Sequence, residues 1–590
     1  GNTYAGTDSI TLTVDNTAPG VLLVSDNTDP IIGSTGVVSI SAYFSETLST
    51  TPTLSISGIV TNTVMSKFSS TPINQIGQLI DDGAGGKLGW TSDISDSGNR
   101  IIVGGPYGSS SSFARVYQWN GKQWEQLGNE IAGTSSNDLG RPVGISGDGS
   151  VIVVGERGNN NNFIYKIYTL SGSTWALRET LNDNNAGTLD ATQNGSVDFS
   201  YDGSIIALSH GLHDNGKGRA RTFEWNGSNY IQMGSDILGP PDNPNTAWLG
   251  SGYNGISLTK NGKRIVVGLR SYGNNNGIVR VYDWDGSAWT QVGTDITDPA
   301  GTGQSFGTSV SISNDGQTII AGAPVLGSSG IGRVHIFSYQ LISGTASWTY
   351  KASIAGSTNG DKFGYSSSIN GNGDKIIVGA YDANSTAGYA RLYKWDGTTA
   401  SQIGSNIVGT AGDALGAHVE LSANGIAVIG APLSDSGGSN SGQVKVIGTD
   451  RYEYSWDVDS GSIPPDGSYY ATVAGADKAG NAYSGTDSIT FTLDTSAPTV
   501  TLTDTDSDNL VSISQVVTIT AGFSEAMTAT PTISITGIVT NVIMTPVSGT
   551  NSYTFTWDTS SGTLTTGNYA ATVSGTDLIG NAYVSGTQSI

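Results

Sequence analysis

Two hydrophobic patterns run along this chain, and both predict short β-strands. Towards the ends, Thr or Ser alternates with Ile, Val, Leu or Phe, as in Ser9-Ile10-Thr11-Leu12-Thr13-Val14 and Ser488-Ile489-Thr490-Phe491-Thr492-Leu493. A period of two puts the apolar set on one face, so such strands have one buried side and one wet side. In the middle, seven runs are apolar on both faces: Ile101-Ile102-Val103-Gly104, Ile152-Val153-Val154-Gly155, Ile205-Ile206-Ala207-Leu208, Ile265-Val266-Val267-Gly268, Ile319-Ile320-Ala321-Gly322, Ile376-Ile377-Val378-Gly379 and Ala427-Val428-Ile429-Gly430. Most follow an Asp-Gly or Asn-Gly turn, such as Asp148-Gly149, Asp202-Gly203, Asn261-Gly262, Asp315-Gly316 or Asn424-Gly425. These dipeptides supply the positive φ angles that two-residue hairpins need.

The seven runs recur every 51–59 residues. A strand covered on both faces wants a neighbour on each side, and sheets stacked around an axis provide both, so the period predicts a seven-bladed β-propeller. A third strand follows in most units, as in Arg115-Val116-Tyr117-Gln118-Trp119, Arg221-Thr222-Phe223-Glu224-Trp225, Arg280-Val281-Tyr282-Asp283-Trp284 and Arg391-Leu392-Tyr393-Lys394-Trp395. Its Arg, aromatic and Trp share one face and read as packing between blades. A fourth strand carries Gln-x-Gly, at Gln126, Gln232, Gln291 and Gln402. The seventh unit stops at Val446-Ile447-Gly448 without it, while Gln75-Ile76-Gly77 stands alone at the start of the repeats. Residues 73–80 are therefore expected to close the ring as the outer strand of the last blade. Closure places the two ends of the ring side by side.

The flanks of the chain repeat each other in order. Phe44-Ser45-Glu46 matches Phe523-Ser524-Glu525, residues 55–65 (SISGIVTNTVM) match 534–544 (SITGIVTNVIM), and Asp477-Lys478-Ala479-Gly480-Asn481 matches Asp577-Leu578-Ile579-Gly580-Asn581. The second copy is continuous. The first is split after Met65 and resumes near Tyr452. The expected organisation is a discontinuous β-sandwich (16–71 and 449–495), the propeller as an insert in one of its loops (72–448), and a second sandwich (496–590). Residues 1–15 read as the last strand of a preceding repeat. With no start Met and no signal peptide, the chain reads as an excerpt from something longer.

Composition supports an all-β chain. Gly is 83 of 590 residues and charged residues are only 13%, which suits tight turns and argues against helical bundles. A net charge of -23 repels a polyanion, so nucleic acid is excluded as a natural partner, and surface carboxylates favour divalent cations instead. No apolar run is long enough for a membrane span. Cys is absent, which removes disulfides, thiolate metal sites and cysteine nucleophiles together.

The propeller units resemble FG-GAP repeats, the type found in the integrin α-subunit head. The carriers are Phe306-Gly307 before Gly322-Ala323-Pro324, Phe363-Gly364 before Gly379-Ala380-Tyr381, and Leu415-Gly416 before Gly430-Ala431-Pro432, with Leu88-Gly89, Leu139-Gly140 and Leu249-Gly250 as degenerate forms. The Asp-rich calcium loop of that family is missing, so no calcium is expected in the propeller. The sandwiches resemble the bacterial Ig-like repeats of large surface adhesins, carried by Asp-x-x-Gly-Asn, Phe-Ser-Glu and the linkers Asp15-Asn16-Thr17-Ala18-Pro19 and Asp494-Thr495-Ser496-Ala497-Pro498. That resemblance implies Ca²⁺ at the junctions between domains, with Asp15, Glu46, Asp477, Asp494, Glu525 and Asp577 as metal ligands. The alternative is that these acids cap turns and keep strand edges soluble.

Catalytic signatures are lacking. His210 and His213, with Asp214 beside them, read as a polar loop; His335 falls in a packing strand, and Asp81-Asp82 reads as a solvated turn. No phosphate loop, nucleophile elbow or zinc signature appears. The sequence therefore predicts a non-catalytic segment of an extracellular, cell-surface adhesin or filament. Its expected partners are a glycan or surface protein of another cell, adjacent Ig-like repeats of the same long chain, and further copies in a filament. The variable loops Gly158-Asn159-Asn160-Asn161-Asn162 and Ser434-Asp435-Ser436-Gly437-Gly438-Ser439-Asn440 mark the best binding surface. The alternatives are a surface glycosidase or lyase with its site on the propeller, and a purely structural subunit of a polymeric appendage.

Overall fold

A computed structural model describes residues 18–583, apart from residues 26–30, 35, 45–47, 68–72, 82–84, 107–111, 134–138, 158–162, 184–194, 212, 214–216, 241–248, 251–253, 302–303, 327–329, 449–450, 459–462, 478, 484–487, 509 and 561–563. The regular structure is almost entirely β-strand.

Between Asn74 and Gly448 the strands form seven antiparallel sheets, called blades 1–7 in chain order. Their innermost strands are Thr91–Ile94, Val143–Ile145, Val197–Phe199, Ile256–Leu258, Val310–Ile312, Ser366–Ile369 and His418–Leu421. Each lies beside the next, and His418–Leu421 lies beside Thr91–Ile94, so the circuit closes into a β-propeller. The apolar runs are the second strands. In Arg100–Gly105, Ile101 and Val103 enter the core that blade 1 shares with blade 7, while Ile102 enters the core shared with blade 2. Ile152 and Val154 face back to blade 1, and Val151 and Val153 face blade 3. Alternate residues of one strand thus serve two cores, which is why these runs carry no polar face.

The seventh blade is completed from the far end of the ring. Strand Gln443–Gly448 pairs with Asn74–Gln75, in the register Ile447 opposite Gln75 and Gly448 opposite Asn74, and also with Ile80–Asp81. The same joint is tightened by a glycine contact. The Cα of Gly430 lies so close to Gly89 of blade 1 that a Cβ at 430 would overlap the Gly89 carbonyl oxygen and sit 2.9 Å from its carbon.

Residues on either side of the ring build one further body of two sheets. One sheet is ordered Val21–Ser25, Val37–Phe44, Tyr452–Asp457, Ser66–Lys67; the other Ile31–Ile32, Ile489–Leu493, Gly467–Ala474, Thr53–Ile56, Val60–Val64. They share a core of Leu23, Ile40, Phe44, Leu54, Ile56, Val473, Phe491 and Leu493 among others. In strand Val21–Ser25, Val21 and Leu23 face this core, whereas Leu22 and Val24 pack with Tyr43 against Ile76, Ile426, Trp119 and Trp124 of the ring. The Trp119 indole N–H donates to the Leu23 carbonyl (2.8 Å), and the Ser25 N–H donates to the Gly121 carbonyl (2.7 Å).

Residues 500–583 form a second two-sheet body on a similar strand plan. The pairing of Leu54 with Val473 in the first body recurs as Ile533 with Val573 in the second. The two bodies meet at Asn581, whose amide donates to the Asp494 carbonyl (2.8 Å) and accepts from the Ser34 hydroxyl (3.0 Å).

Candidate functional site

The propeller's central channel is lined by the innermost strands, whose inner edges leave seven backbone N–H groups without a ladder partner. One equivalent position per blade holds Asp93, Gly144, Asp198, Ser257, Ser311, Ser368 and Glu420, and five of these side chains meet that demand. The hydroxyl oxygens of Ser257, Ser311 and Ser368 each accept from the next blade, at Ile312 (3.3 Å), Ile369 (3.1 Å) and Leu421 (3.1 Å). Gly144 has no side chain to offer blade 3. Asp198 therefore accepts twice, from its own strand at Phe199 and from blade 4 at Leu258, both 2.7 Å. Glu420 reaches away from blade 1, and Asp93 compensates in the same manner, accepting from Ile94 and from Ile145 of blade 2, both 2.7 Å. An Asp at these two positions supplies the two acceptor oxygens that a Ser lacks.

Glu420 is free of that duty. It accepts from the Ser368 hydroxyl (2.5 Å) and from the Asn254 amide (2.8 Å), and Asn254 in turn accepts from the Ser366 hydroxyl (2.9 Å). Asn254 thereby bridges the channel from blade 4 to blades 6 and 7. His418 is buried with Nδ1 3.1 Å from the Ser92 hydroxyl, and burial pushes its pKa down to about 3, so it is neutral. Lys260 pairs with Asp96 at 3.0 Å, and Asp96, Asp198 and Asp93 hold it protonated against the effect of burial. Burial raises three of the channel carboxyls: Asp93 to about 7, Glu420 to about 8, with the charge of Asp93 adding to the latter, and Asp198 upward as well. Burial thus favours the protonated form of these carboxyl groups. Its cavity is about 70 Å³, far below the ~300–1,000 Å³ of pockets that enclose organic ligands. It has room for water and small ions.

Of the six acids the sequence singled out, the structure brings three together. Carboxylate oxygens of Asp494, Glu525 and Asp577 all lie within 4.8 Å of one another at the meeting point of the two-sheet bodies. Asp577 is fixed by N–H donors from Ile579 (2.9 Å) and Asn581 (2.8 Å) and by the Asn581 amide (2.8 Å). Burial, then the neighbouring negative charges, raises the pKa of both Asp494 and Glu525. Three hard oxygen ligands around one point suit Ca²⁺ chemically. Asp477 occupies the corresponding loop of the first body, bonded to Asn481 (2.9 Å) and Gly480 (2.7 Å). Asp15 and Glu46 lie outside the described residues.

Of the remaining candidates, Asp82 and Asp214 lie outside the described residues. His335 is buried 3.2 Å from Asp298, and His210 is buried 5.4 Å from the Phe163 ring. The blade aromatics pack as hairpin pairs, including Trp119–Trp124 at 5.4 Å and Trp284–Trp289 at 5.5 Å. Arg115 lies 4.1 Å from the Phe113 ring centroid, two residues before it in the strand. Residues 158–162 are outside the described residues. The loop containing Ser434–Asn440 packs on the start of blade 1, where the N–H groups of Lys87 and Leu88 donate to the carbonyls of Asn440 (3.1 Å) and Ser441 (3.0 Å).

No family model and no curated protein matches the chain. Several solved structures do. One is a protein provisionally described as a 6-phosphogluconolactonase from Bacteroides uniformis (14% identity, TM-score 0.41, 67% of this chain and 97% of that one). Others are the β-propeller domain of the trilobed protease from Pyrococcus furiosus (11%, 0.35, 60% and 90%) and TolB from Acinetobacter baumannii (12%, 0.28, 58% and 64%). Likenesses this distant carry no inference about chemistry.

Proposed function

We propose that this chain is a non-catalytic segment of a large extracellular adhesin or surface filament. In this reading the two-sheet bodies are Ig-like spacers in series. The propeller, of FG-GAP type, is inserted in a loop of the first spacer and recognises a glycan or a protein on another cell. One observation carries the reading: strand Val37–Phe44 pairs with Tyr452–Asp457 across the whole length of the ring. A ring whose two ends emerge together adds little loop-closure entropy to its host, so it projects from a spacer without breaking the series. Many such units on one polymer would turn weak contacts into avid attachment. Ca²⁺ at Asp494, Glu525 and Asp577, and at Asp15, Glu46 and Asp477 by repetition, would stiffen the spacers.

The chemistry of the channel supports a binder over a glycosidase. Asp93 and Asp198 are each engaged by two backbone N–H groups, and the cavity is too small for a sugar ring. The test is to incubate the purified chain with a glycan array and with whole cells, and to analyse the supernatant. Retention without sugar release is expected. Sustained release of product by the chain would overturn the reading.

A further inference from the structure

We infer that the groove between blades 6 and 7 binds a protein segment that presents an aromatic ring, tryptophan above all, beside a carboxylate. This inference rests on the binder reading above and names a protein ligand for it. At four other seams, a blade lays a ring of its outer hairpin over the Gln-x-Gly turn of the blade before it. The Trp124 indole of blade 1 donates to the Ile76 carbonyl of blade 7 (3.0 Å), and the Trp175 indole of blade 2 donates to the Leu127 carbonyl of blade 1 (3.0 Å). Trp284 and Trp348 close on Gly234 of blade 3 and Gly293 of blade 4, where a Cβ would fall 2.9 and 3.5 Å from the respective ring.

Blade 7 has no such ring to lay on blade 6. In blade 1, Tyr117 stands opposite Gln126 and Trp119 opposite Trp124. In blade 7, Ile447 stands opposite Gln75 and Gly448 opposite Asn74, so the next pair along is Thr449, which lies outside the described residues, and Ile73. Ile73 thus occupies the place of Trp124. The seam is left as a groove of about 750 Å³, lined by Ile73, Lys445 and Ile447 of blade 7 and by Gln402, Gly404 and Asn406 of blade 6, among others. That volume falls within the ~300–1,000 Å³ of ligand sites. Gln402-Ile403-Gly404 is the turn that a ring would cover, and Ile403 holds the place of Ile76 and Leu127.

The groove also has a cation without its acid. Lys445 stands opposite Ile429 as Arg115 stands opposite Val103 in blade 1 and Arg280 opposite Val267 in blade 4. Those arginines pair with Glu130 and Asp295, both at 2.7 Å, four residues after the Gln of their own blades. The same place is Leu79 in blade 7 and Asn406 in blade 6. Asn406 accepts from Arg391 Nε (3.0 Å), so that guanidinium too meets a neutral group there. Among the described residues no carboxylate pairs with Lys445. The two groups missing from this seam, an indole and a carboxylate, are the two that an incoming segment would supply. An aromatic anchor in a groove with a complementary charge beside it is a recurring basis of protein recognition.

The probe is a blocked pentapeptide with one Trp flanked on each side by two Glu, titrated against the whole chain by ligand-observed NMR. Saturation is expected below about 1 mM, weakening as salt rises. A Trp-to-Ala peptide should bind about thirtyfold more weakly, the loss of a buried aromatic anchor, and a Glu-to-Gln peptide about tenfold more weakly. Lys445→Gln should reproduce the second loss at unchanged melting temperature. Ile73→Trp gives blade 7 the ring that other blades carry; it should abolish binding while the melting temperature holds or rises. No saturation, binding that survives Ile73→Trp, or equal binding of the parent and Glu-to-Gln peptides overturns the inference. A chain that is retained on glycans or cells but ignores the peptide overturns this inference and leaves the binder reading in place. Peptide binding alongside release of a sugar product upholds the groove and removes that reading.

Discussion

Gly430→Ala probes the closing joint of the ring directly. The added Cβ would overlap the Gly89 carbonyl oxygen and lie 2.9 Å from its carbon and 3.3 Å from its Cα. Ordinary contacts begin near 3.4 Å. The obstructing atoms are backbone on both sides, in strands fixed by their own ladders, so no rotamer change relieves the clash. Overpacking of this kind costs roughly 1–3 kcal/mol, and a backbone obstacle puts this site at the upper end. At about 2.1 cal/mol/K of unfolding entropy per residue, a cooperative unit of roughly 375 residues losing about 3 kcal/mol melts about 4 °C lower. Gly522→Ala is the matched control. Its Cβ would sit 3.7 Å from the Ser552 hydroxyl, in ordinary contact and without a positive φ. It should be neutral or slightly stabilising, by up to about 1 kcal/mol, through the unfolded state. Scanning calorimetry gives the melting shift, and hydrogen exchange locates it, with faster exchange expected around Leu88–Trp90 and Ala427–Ala431. A Gly430→Ala protein that melts within 1 °C of the parent and keeps its exchange protection there would refute closure at this joint.

The channel predicts a pH dependence of unusual sign. Asp93 and Glu420 bind protons more tightly folded, at about 7 and about 8, than at their ordinary values of 3.8 and 4.5. Their contribution is complete below the ordinary values and is lost as pH rises through the folded ones. The ring's melting temperature should therefore fall between pH 5 and pH 9, and a flat profile would contradict the argument. At the junction, Ca²⁺ at 100 times its dissociation constant should add about 2.7 kcal/mol to the second two-sheet body; Glu525→Gln should remove that gain, and identical melting with Ca²⁺ and with EGTA would exclude the site. Asn581→Ala deletes the bonds to Asp494 and Ser34 at a cost of about 1–3 kcal/mol. Small-angle scattering should then show a wider spread of angles between the bodies, and an unchanged curve would show that these bonds do not set the angle.

The all-β class and the propeller were legible because they depend on local pattern and on repetition. An apolar run seven times over can only be buried twice over, and the cores on either side of Arg100–Gly105 show how. Gln75-Ile76-Gly77 stood out because it was a fourth-strand motif with no third strand before it. The junction acids were legible through repeated motifs, but the sequence alone could not separate members that converge from those that close a local loop. Asp577 does both, holding its own turn and facing Asp494 and Glu525. Asp477 bonds within its loop, and its counterparts Asp15 and Glu46 fall outside the described residues.

The channel was not legible, for a physical reason. Asp93 and Asp198 sit in strands reading TSDIS and SVDFS, where a lone acid looks like ordinary alternation. Their partners lie 52 and 60 residues further on, and Glu420 meets Asn254 across 166. What was available was a comparison down the column of inner strands: Asp, Gly, Asp, Ser, Ser, Ser, Glu at one position. That column makes sense only as an account of acceptors, in which a Gly that gives nothing is followed by an Asp that gives twice. Because these polar groups are consumed in satisfying strand edges, the interior of the ring is committed to holding itself together.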